Sequence, residues 1–302
     1  MVDLLIVGGG IAGLTAALYA ERAGKSALIF EKNAFGGQIA SSPRVDNYPA
    51  LPGVSGLDLA DKMLSQALDA GAEIALENVS GLKKNEDCFV LTAGKKEFEG
   101  RAVILAAGAR HRTLELPGEE ALTGRGVSYC AVCDGAFFKG QTVAVVGGGS
   151  AAAQAALYLS GLCAAVYVIH RREEFRCEKR ELDALKAREN IRFVLNSRVV
   201  GLEGDGQLTG VAIQNTQSLQ VSPLAVTGLF ISVGQAPDNG AFAPMIALDE
   251  NGFIVADERC ETNVPGVFAA GDCRQKAVRQ LTTAAADGTV AALAACAWLD
   301  RG

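Results

Sequence analysis

The sequence predicts an α/β fold in which one strand–helix–strand unit, of the kind that binds dinucleotides, is written twice. Three observations carry this. A glycine loop, Gly8-Gly9-Gly10-Ile11-Ala12-Gly13, follows the apolar run 4–7. A second, Gly147-Gly148-Gly149-Ser150-Ala151-Ala152, follows the apolar run 143–146. The interval from Gly8 to Glu31, where the next strand of the first unit ends, equals the interval from Gly147 to His170 in the second.

In the first unit the glycines permit a tight turn and close backbone approach to a pyrophosphate, while the helix that follows offers free N–H groups and the positive end of its dipole. Gly8, Gly10, Ala12 and Gly13 are therefore candidate cofactor positions, and Glu31, with Lys32 beside it, closes the strand that meets a ribose. A glycine pattern alone is weak, and either loop read singly is a tight turn; strand, loop, helix, strand and terminal acid in order are specific.

The second unit ends differently, in His170-Arg171-Arg172 with Arg176 one turn on. A carboxylate suits a free ribose 2′-hydroxyl, whereas arginines suit a 2′-phosphate. The first site is thus expected to hold FAD and the second NADPH, with Gly147, Gly149, Ser150, Ala151, His170, Arg171, Arg172 and Arg176 as candidates. Lys179 and Arg180 read as a solvated helix face, with Glu173 and Glu174 offsetting part of the charge.

At 302 residues and 49% hydrophobic content, the chain can bury a large core and suggests two domains. Its net charge of -6 argues against nucleic acid or an anionic membrane as partner. The uncharged stretch 142–169 is long enough for a membrane span, but Gly147 to Gly149 divide it into strand, helix and strand. A strand pattern from residue 2 onward leaves no room for a secretory leader, so a cytoplasmic location is expected.

Of eight cysteines, only Cys130 and Cys133 are closely spaced. In a reducing compartment such a C-x-x-C pair points to reversible disulfide chemistry. Asp134 supplies a carboxyl group for the proton that thiol exchange moves. Half a zinc site is the rival reading, but no second C-x-x-C follows and His111 and His170 lie elsewhere, so no metal is expected. The other cysteines read as small apolar packers, Cys88 and Cys296 among them, with Cys177 set apart by its arginine neighbour.

Taken together, the first glycine loop, Gly36-Gly37-Gln38, Asp46-Asn47-Tyr48-Pro49, 104–108, 128–135, 170–176, Gly234 with Pro237, 262–272, and Arg279-Gln280 through Gly288 resemble the low-molecular-weight bacterial thioredoxin reductases over essentially the whole chain. The resemblance implies two Rossmann-like dinucleotide-binding domains, the second inserted into the first. The FAD domain is then discontinuous, 1–112 and 243–302, and the NADPH domain, 113–242, carries the cysteine pair. Gly37, Gln38, Asn47, Ala107, Gly108, Gly271, Asp272, Arg279 and Gln280 join the FAD site, Asp272 on the ribityl chain, a role compatible with a plain helix N-cap. Cys133 faces the flavin, Cys130 attacks thioredoxin or a thioredoxin-like protein disulfide, and Asp134 donates the proton.

The resemblance further implies a homodimer and a rotation of the inserted domain, with hinges near 110–114 and 238–243. The chain departs from the family at Ser150, Ala151, Gln154 and Ala155, where an acidic or amide residue, a hydroxyl residue and two glutamates are usual, and at Ala50 and Ala286, where glycine is usual. Alternatives are a flavin disulfide enzyme using ferredoxin as donor or oxygen as acceptor, which the 170–176 segment opposes, and a non-catalytic flavin redox sensor.

Overall fold

The computed structural model describes residues 1–42 and 44–301. The chain opens with β1 (Val2–Val7), α1 (Ile11–Arg22), β2 (Ala27–Glu31), α2 (Gly56–Asp69), β3 (Glu73–Leu76), β4 (Val79–Lys84), β5 (Phe89–Ala93) and β6 (Lys96–Leu105). After β7 (Ala109–His111) come α3 (Glu119–Leu122), β8 (Val127–Ser128), α4 (Ala131–Asp134), β9 (Thr142–Val146), α5 (Ser150–Ser160), β10 (Ala165–Ile169), α6 (Lys179–Lys186) and β11 (Ile191–Val194). There follow β12 (Ser197–Glu203), β13 (Gly210–Asn215), β14 (Val221–Leu224) and β15 (Gly228–Ile231), and then β16 (Gln235–Pro237), β17 (Val267–Ala269) and α7 (Leu281–Leu299).

Two compact units result, Met1–Arg110 with Ala236–Gly302, and His111–Gln235. In the first, a parallel sheet runs β3-β2-β1-β6, with β17 beside the C-terminal half of β6, β5 antiparallel to its N-terminal half and β4 antiparallel to β5. The second repeats this plan as β11-β10-β9-β15-β8, all parallel, with a separate antiparallel meander β12-β13-β14. The outer strand β17 comes last in its unit, whereas its counterpart β8 comes first. Central strands of a parallel sheet are covered on both faces, which is why Leu4, Leu5 and Ile6, and Val143, Ala144 and Val145, are continuous apolar runs with no exposed surface.

The uncharged stretch 142–169 forms β9, a glycine turn, α5 and β10. Among the described residues α7 alone is long and apolar enough to cross a membrane by length and composition. It buries Ala291, Ala292 and Ala295 in the same core as Ala16, Ala17 and Ala20 of α1. A methyl group on Gly288 would stand 2.3 Å from the Ala12 carbonyl oxygen, so the close crossing of the two helices requires glycine there.

The crossings between units fall a few residues from the expected ones. His111 stacks on Tyr129 at 5.3 Å and the Arg112 N–H donates to Gly234 O at 3.0 Å, placing 111–112 in the second unit. Segment 236–242 belongs to the first. There Phe242 is buried, and Asn239, 1% exposed, donates to the Gly252 and Cys273 carbonyls. Asp238 pairs with Lys32. The expected hinge at 238–243 is therefore anchored within the first unit, and the crossing lies at 235–236.

Candidate active site

Cys130 and Cys133 are joined in a disulfide with their Cα atoms 5.3 Å apart. One turn of helix brings residues three apart onto one side, and Cys130 caps α4 so that its sulfur accepts the Cys133 N–H at 3.2 Å. Ala131 is buried while Val132 is 52% exposed, so the loop between the sulfurs reaches solvent.

Asp134 is half-buried. The buried Ser128 hydroxyl donates to its Oδ2 at 2.6 Å and accepts the Cys130 N–H at 3.1 Å, linking the acid to the backbone of the first cysteine. Burial pushes the Asp134 carboxyl above its ordinary range, against the smaller opposing effect of Ser128. A carboxyl that stays protonated to higher pH is suited to act as an acid. Behind Cys130, the Tyr129 hydroxyl donates to the buried Glu119 at 2.7 Å, and Glu119 also accepts the Leu114 and Leu116 N–H groups. Burial, with Glu119 adding to it, pushes the Tyr129 phenol up to about 12.

The remaining cysteines offer no rival pair. Cys163, Cys260, Cys273 and Cys296 are buried, and burial pushes the Cys260 thiol to about 11 and the Cys273 thiol to about 12. Among the described residues no group of three or more His, Cys, Asp or Glu is placed to hold a metal.

The second glycine loop lies in the same unit as the disulfide. Gly147 has φ +149, and a methyl group there would meet the Ser232 carbonyl oxygen at 2.4 Å. One on Gly148 would enter the His170 ring, at 2.2 Å. His170 is buried, its Nε2 3.1 Å from the Glu174 carbonyl oxygen and its ring beside Phe175, so it shapes the loop from below. The Arg176 N–H donates to Gly148 O at 2.6 Å, drawing the arginine segment over the loop. Gly149 caps α5 with no side-chain bond, leaving its first N–H groups free for an anion. Among the described residues, Arg171, Arg172 and Arg176 form no ion pair. Gln154 turns instead to Glu181, donating to its Oε1 at 2.9 Å.

The first glycine loop and its partners lie in the other unit. A methyl group on Gly13 would stand 1.9 Å from the Gly8 carbonyl oxygen, and one on Gly8, at φ +107, 2.2 Å from that of Ala106. Gly10, like Gly149, caps its helix without a side-chain bond. Glu31 accepts the Gly9 and Asn33 N–H groups, both at 2.9 Å, which leaves further lone pairs on each oxygen. Lys32 is engaged by Asp238. Gly36 and Gly37 turn the chain with positive φ, Gln38 donates to Ala109 O, and Asn47 donates to Gln280 at 3.1 Å.

Across the sheet, Gly271 turns at φ +77 and Asp272 follows, with its Oδ1 buried and unpartnered. Burial pushes that carboxyl up. An orphaned oxygen of this kind fits a hydroxyl donor from a bound group. Arg279 lies over the Phe253 ring at 4.1 Å.

The turn is held by Asp287, which the sequence reading did not single out. It accepts the Gly271 N–H at 3.0 Å, Arg274 Nε at 2.9 Å and Lys276 Nζ at 2.8 Å. Burial works against its charge, yet the Arg274 and Lys276 bonds hold its carboxyl below the ordinary range. It is the sole charged residue in α7, and that isolation was the available signal.

Residues 2–288 match the family model described as pyridine nucleotide-disulphide oxidoreductase. The chain is 44% identical over 290 residues to a thioredoxin reductase of Listeria monocytogenes, covering 96% of this chain and 91% of that one. It is 41% identical over 295 residues to a thioredoxin reductase of Bacillus subtilis, covering 96% and 92%. The crystal structure of thioredoxin reductase from Streptococcus pyogenes superposes with a TM-score of 0.95 at 40% identity, covering 100% of this chain and 99% of that one. Similarity of this depth, running the whole length of both chains, makes the protein a member of the pyridine nucleotide-disulphide oxidoreductase family, among the thioredoxin reductases.

Proposed function

We propose that the chain is an NADPH-dependent thioredoxin-disulfide reductase, in which electrons pass from NADPH through FAD to Cys130 and Cys133 and on to thioredoxin. The carrying observation is the disulfide beside a half-buried Asp134, on the same unit as three arginines that make no ion pair among the described residues. The net reaction converts NADPH, a proton and a protein disulfide into NADP⁺ and a protein dithiol.

FAD, when bound, relays the two electrons of the nicotinamide hydride. The residues that fit it are Gly8, Gly10, Ala12, Gly13, Glu31, Lys32, Gly37, Gln38, Asn47, Ala107, Gly108, Gly271, Asp272, Arg279 and Gln280, all in one unit. The unpartnered Asp272 oxygen and the close glycine contacts support this. For NADPH, Gly147, Gly149, Ser150 and Ala151 offer the phosphate turn and Arg171, Arg172 and Arg176 the 2′-phosphate contacts. These free guanidinium groups favour NADPH over ferredoxin or oxygen as redox partner.

Two electrons and two protons open the Cys130–Cys133 bond to a dithiol. Cys130, as thiolate, attacks the substrate disulfide, and the departing sulfur takes its proton from Asp134. Cys133 then displaces the mixed disulfide, releasing the substrate dithiol and re-forming the intramolecular bond. Because the disulfide and the arginine segment share one unit, this reading includes the rotation expected from the resemblance, with the crossings at 110–111 and 235–236 as hinges. A homodimer in the cytoplasm completes it.

Anaerobic titration of the holoenzyme tests the order of events. NADPH should bleach the flavin at lower concentration than NADH, and added thioredoxin should restore the oxidised spectrum. If neither nucleotide bleaches it the proposal is overturned; bleaching without transfer to thioredoxin would assign another disulfide substrate.

Asp134→Asn should lower turnover with thioredoxin about a hundredfold, the usual worth of a positioned acid, and leave flavin reduction by NADPH intact. The wild-type carboxyl loses its proton as pH rises through its raised value, so the rate of substrate reduction should fall there. The asparagine variant should lack that alkaline limb in a kcat profile; a limb retained by the variant would reassign the proton donor.

A further inference from the structure

Ser150 and Gln154, two of the positions where the chain departs from the family pattern, share a partner on the neighbouring helix. They stand one turn apart on α5 and so occupy one face. Gln154 Nε2 donates to Glu181 Oε1 at 2.9 Å, and with the Ser150 side chain beside it this holds the Glu181 carboxyl below its ordinary range. The other oxygen, Oε2, accepts the Glu178 N–H at 3.1 Å, and the Glu178 side chain caps the same turn in return. Glu181 thus fastens the first turn of α6 to the nucleotide helix.

Between these helices runs the segment bearing Arg171, Arg172 and Arg176. Its leading part is tied by His170 to Glu174 O and by the Arg176 N–H to Gly148 O. Its trailing end is tied through Glu181. Glu178, the acid at that end, pairs with Arg180 at 2.7 Å, so the strap takes no phosphate-facing guanidinium out of play. Arginine side chains are long and mobile, and their aim depends on how firmly their backbone is held.

We propose that Glu181 is a specificity-determining positioning residue, which by bridging Gln154 and the Glu178 N–H holds the three arginines where the 2′-phosphate of the nucleotide meets them. The inference rests on NADPH being the donor. It gives Gln154 a task in place of the residue usual there.

Calorimetry on the holoenzyme with adenosine 2′,5′-bisphosphate and adenosine 5′-monophosphate isolates the 2′-phosphate. Glu181→Ala should weaken the bisphosphate about tenfold, the worth of one hydrogen bond to a charged group, and shift the monophosphate by less than about twofold. Gln154→Glu should cause the same loss, because it sets a second carboxylate against Glu181. Combining Gln154→Glu with Glu181→Gln should restore binding to within about threefold, since the amide and carboxylate are then exchanged and can pair again. Equal weakening of both probes by Glu181→Ala, tighter bisphosphate binding on loss of the charge, or no recovery in the double variant would each overturn the strap. A wild-type enzyme that does not prefer the bisphosphate would remove the NADPH reading itself, and the inference with it.

Discussion

Cys133→Ser is expected to reduce thioredoxin at least about a thousandfold more slowly than the wild type, as befits loss of one member of a covalent catalytic pair. Flavin reduction by NADPH should persist, because the glycine loops and the arginine segment do not involve the sulfurs. Serine cannot form the disulfide whose opening to a dithiol takes up the two electrons. Cys163, Cys260, Cys273 and Cys296 do not substitute, since they are buried and Cys260 and Cys273 ionise only at about 11 and 12. Stopped-flow absorbance separates flavin reduction from thioredoxin reduction in one sample. Thioredoxin turnover within tenfold of the wild type would refute the assignment of the pair.

Gly13→Ala carries the second large effect, on flavin retention. The new methyl group would fall 1.9 Å from the Gly8 carbonyl oxygen, and Gly8 cannot retreat because its own Cα faces the Ala106 carbonyl. Overpacking against fixed backbone costs about 1–3 kcal/mol or more, and the strain here lies in the turn that approaches the pyrophosphate. The variant should purify with under about a tenth of its flavin, a loss that corresponds to more than about 1.4 kcal/mol of binding. Gly149→Ala is the matched control: that site has no atom within 4 Å and an extended φ of −102. It should keep full flavin content, and a comparable loss there would show that the steric account of Gly13 is mistaken.

Local signals made much of the molecule legible. Strand, glycine loop and helix are contiguous in sequence, so Gly8 to Glu31 and Gly147 to His170 read directly, as did the division of 142–169. Cys130, Cys133 and Asp134 are sequence neighbours, and the structure keeps them together. What escaped depends on side-chain partners that no sequence period encodes, near or far along the chain. Ser128 matters because it touches Asp134 and Cys130, Glu119 because Tyr129 and two loop N–H groups converge on it, and Glu181 because Gln154 lies 27 positions away. The compact units divide at 235–236 rather than at 242–243 for the same reason: Asn239 bonds to Gly252 and Cys273, contacts that no periodicity encodes. His170, grouped with the phosphate arginines by adjacency, is turned inward beneath Gly148.

The pairing of Arg112 N–H with Gly234 O brings the two ends of the inserted unit side by side. Its 111–235 stretch therefore enters and leaves its host through one doorway, and the host chain is interrupted without being pulled apart. Such a segment can be gained, lost or exchanged as a cassette, since rejoining 110 to 236 asks only for a short turn. On the proposed function, nucleotide choice and disulfide chemistry are both written inside the cassette, so they are heritable together and separable from the host that would hold the flavin.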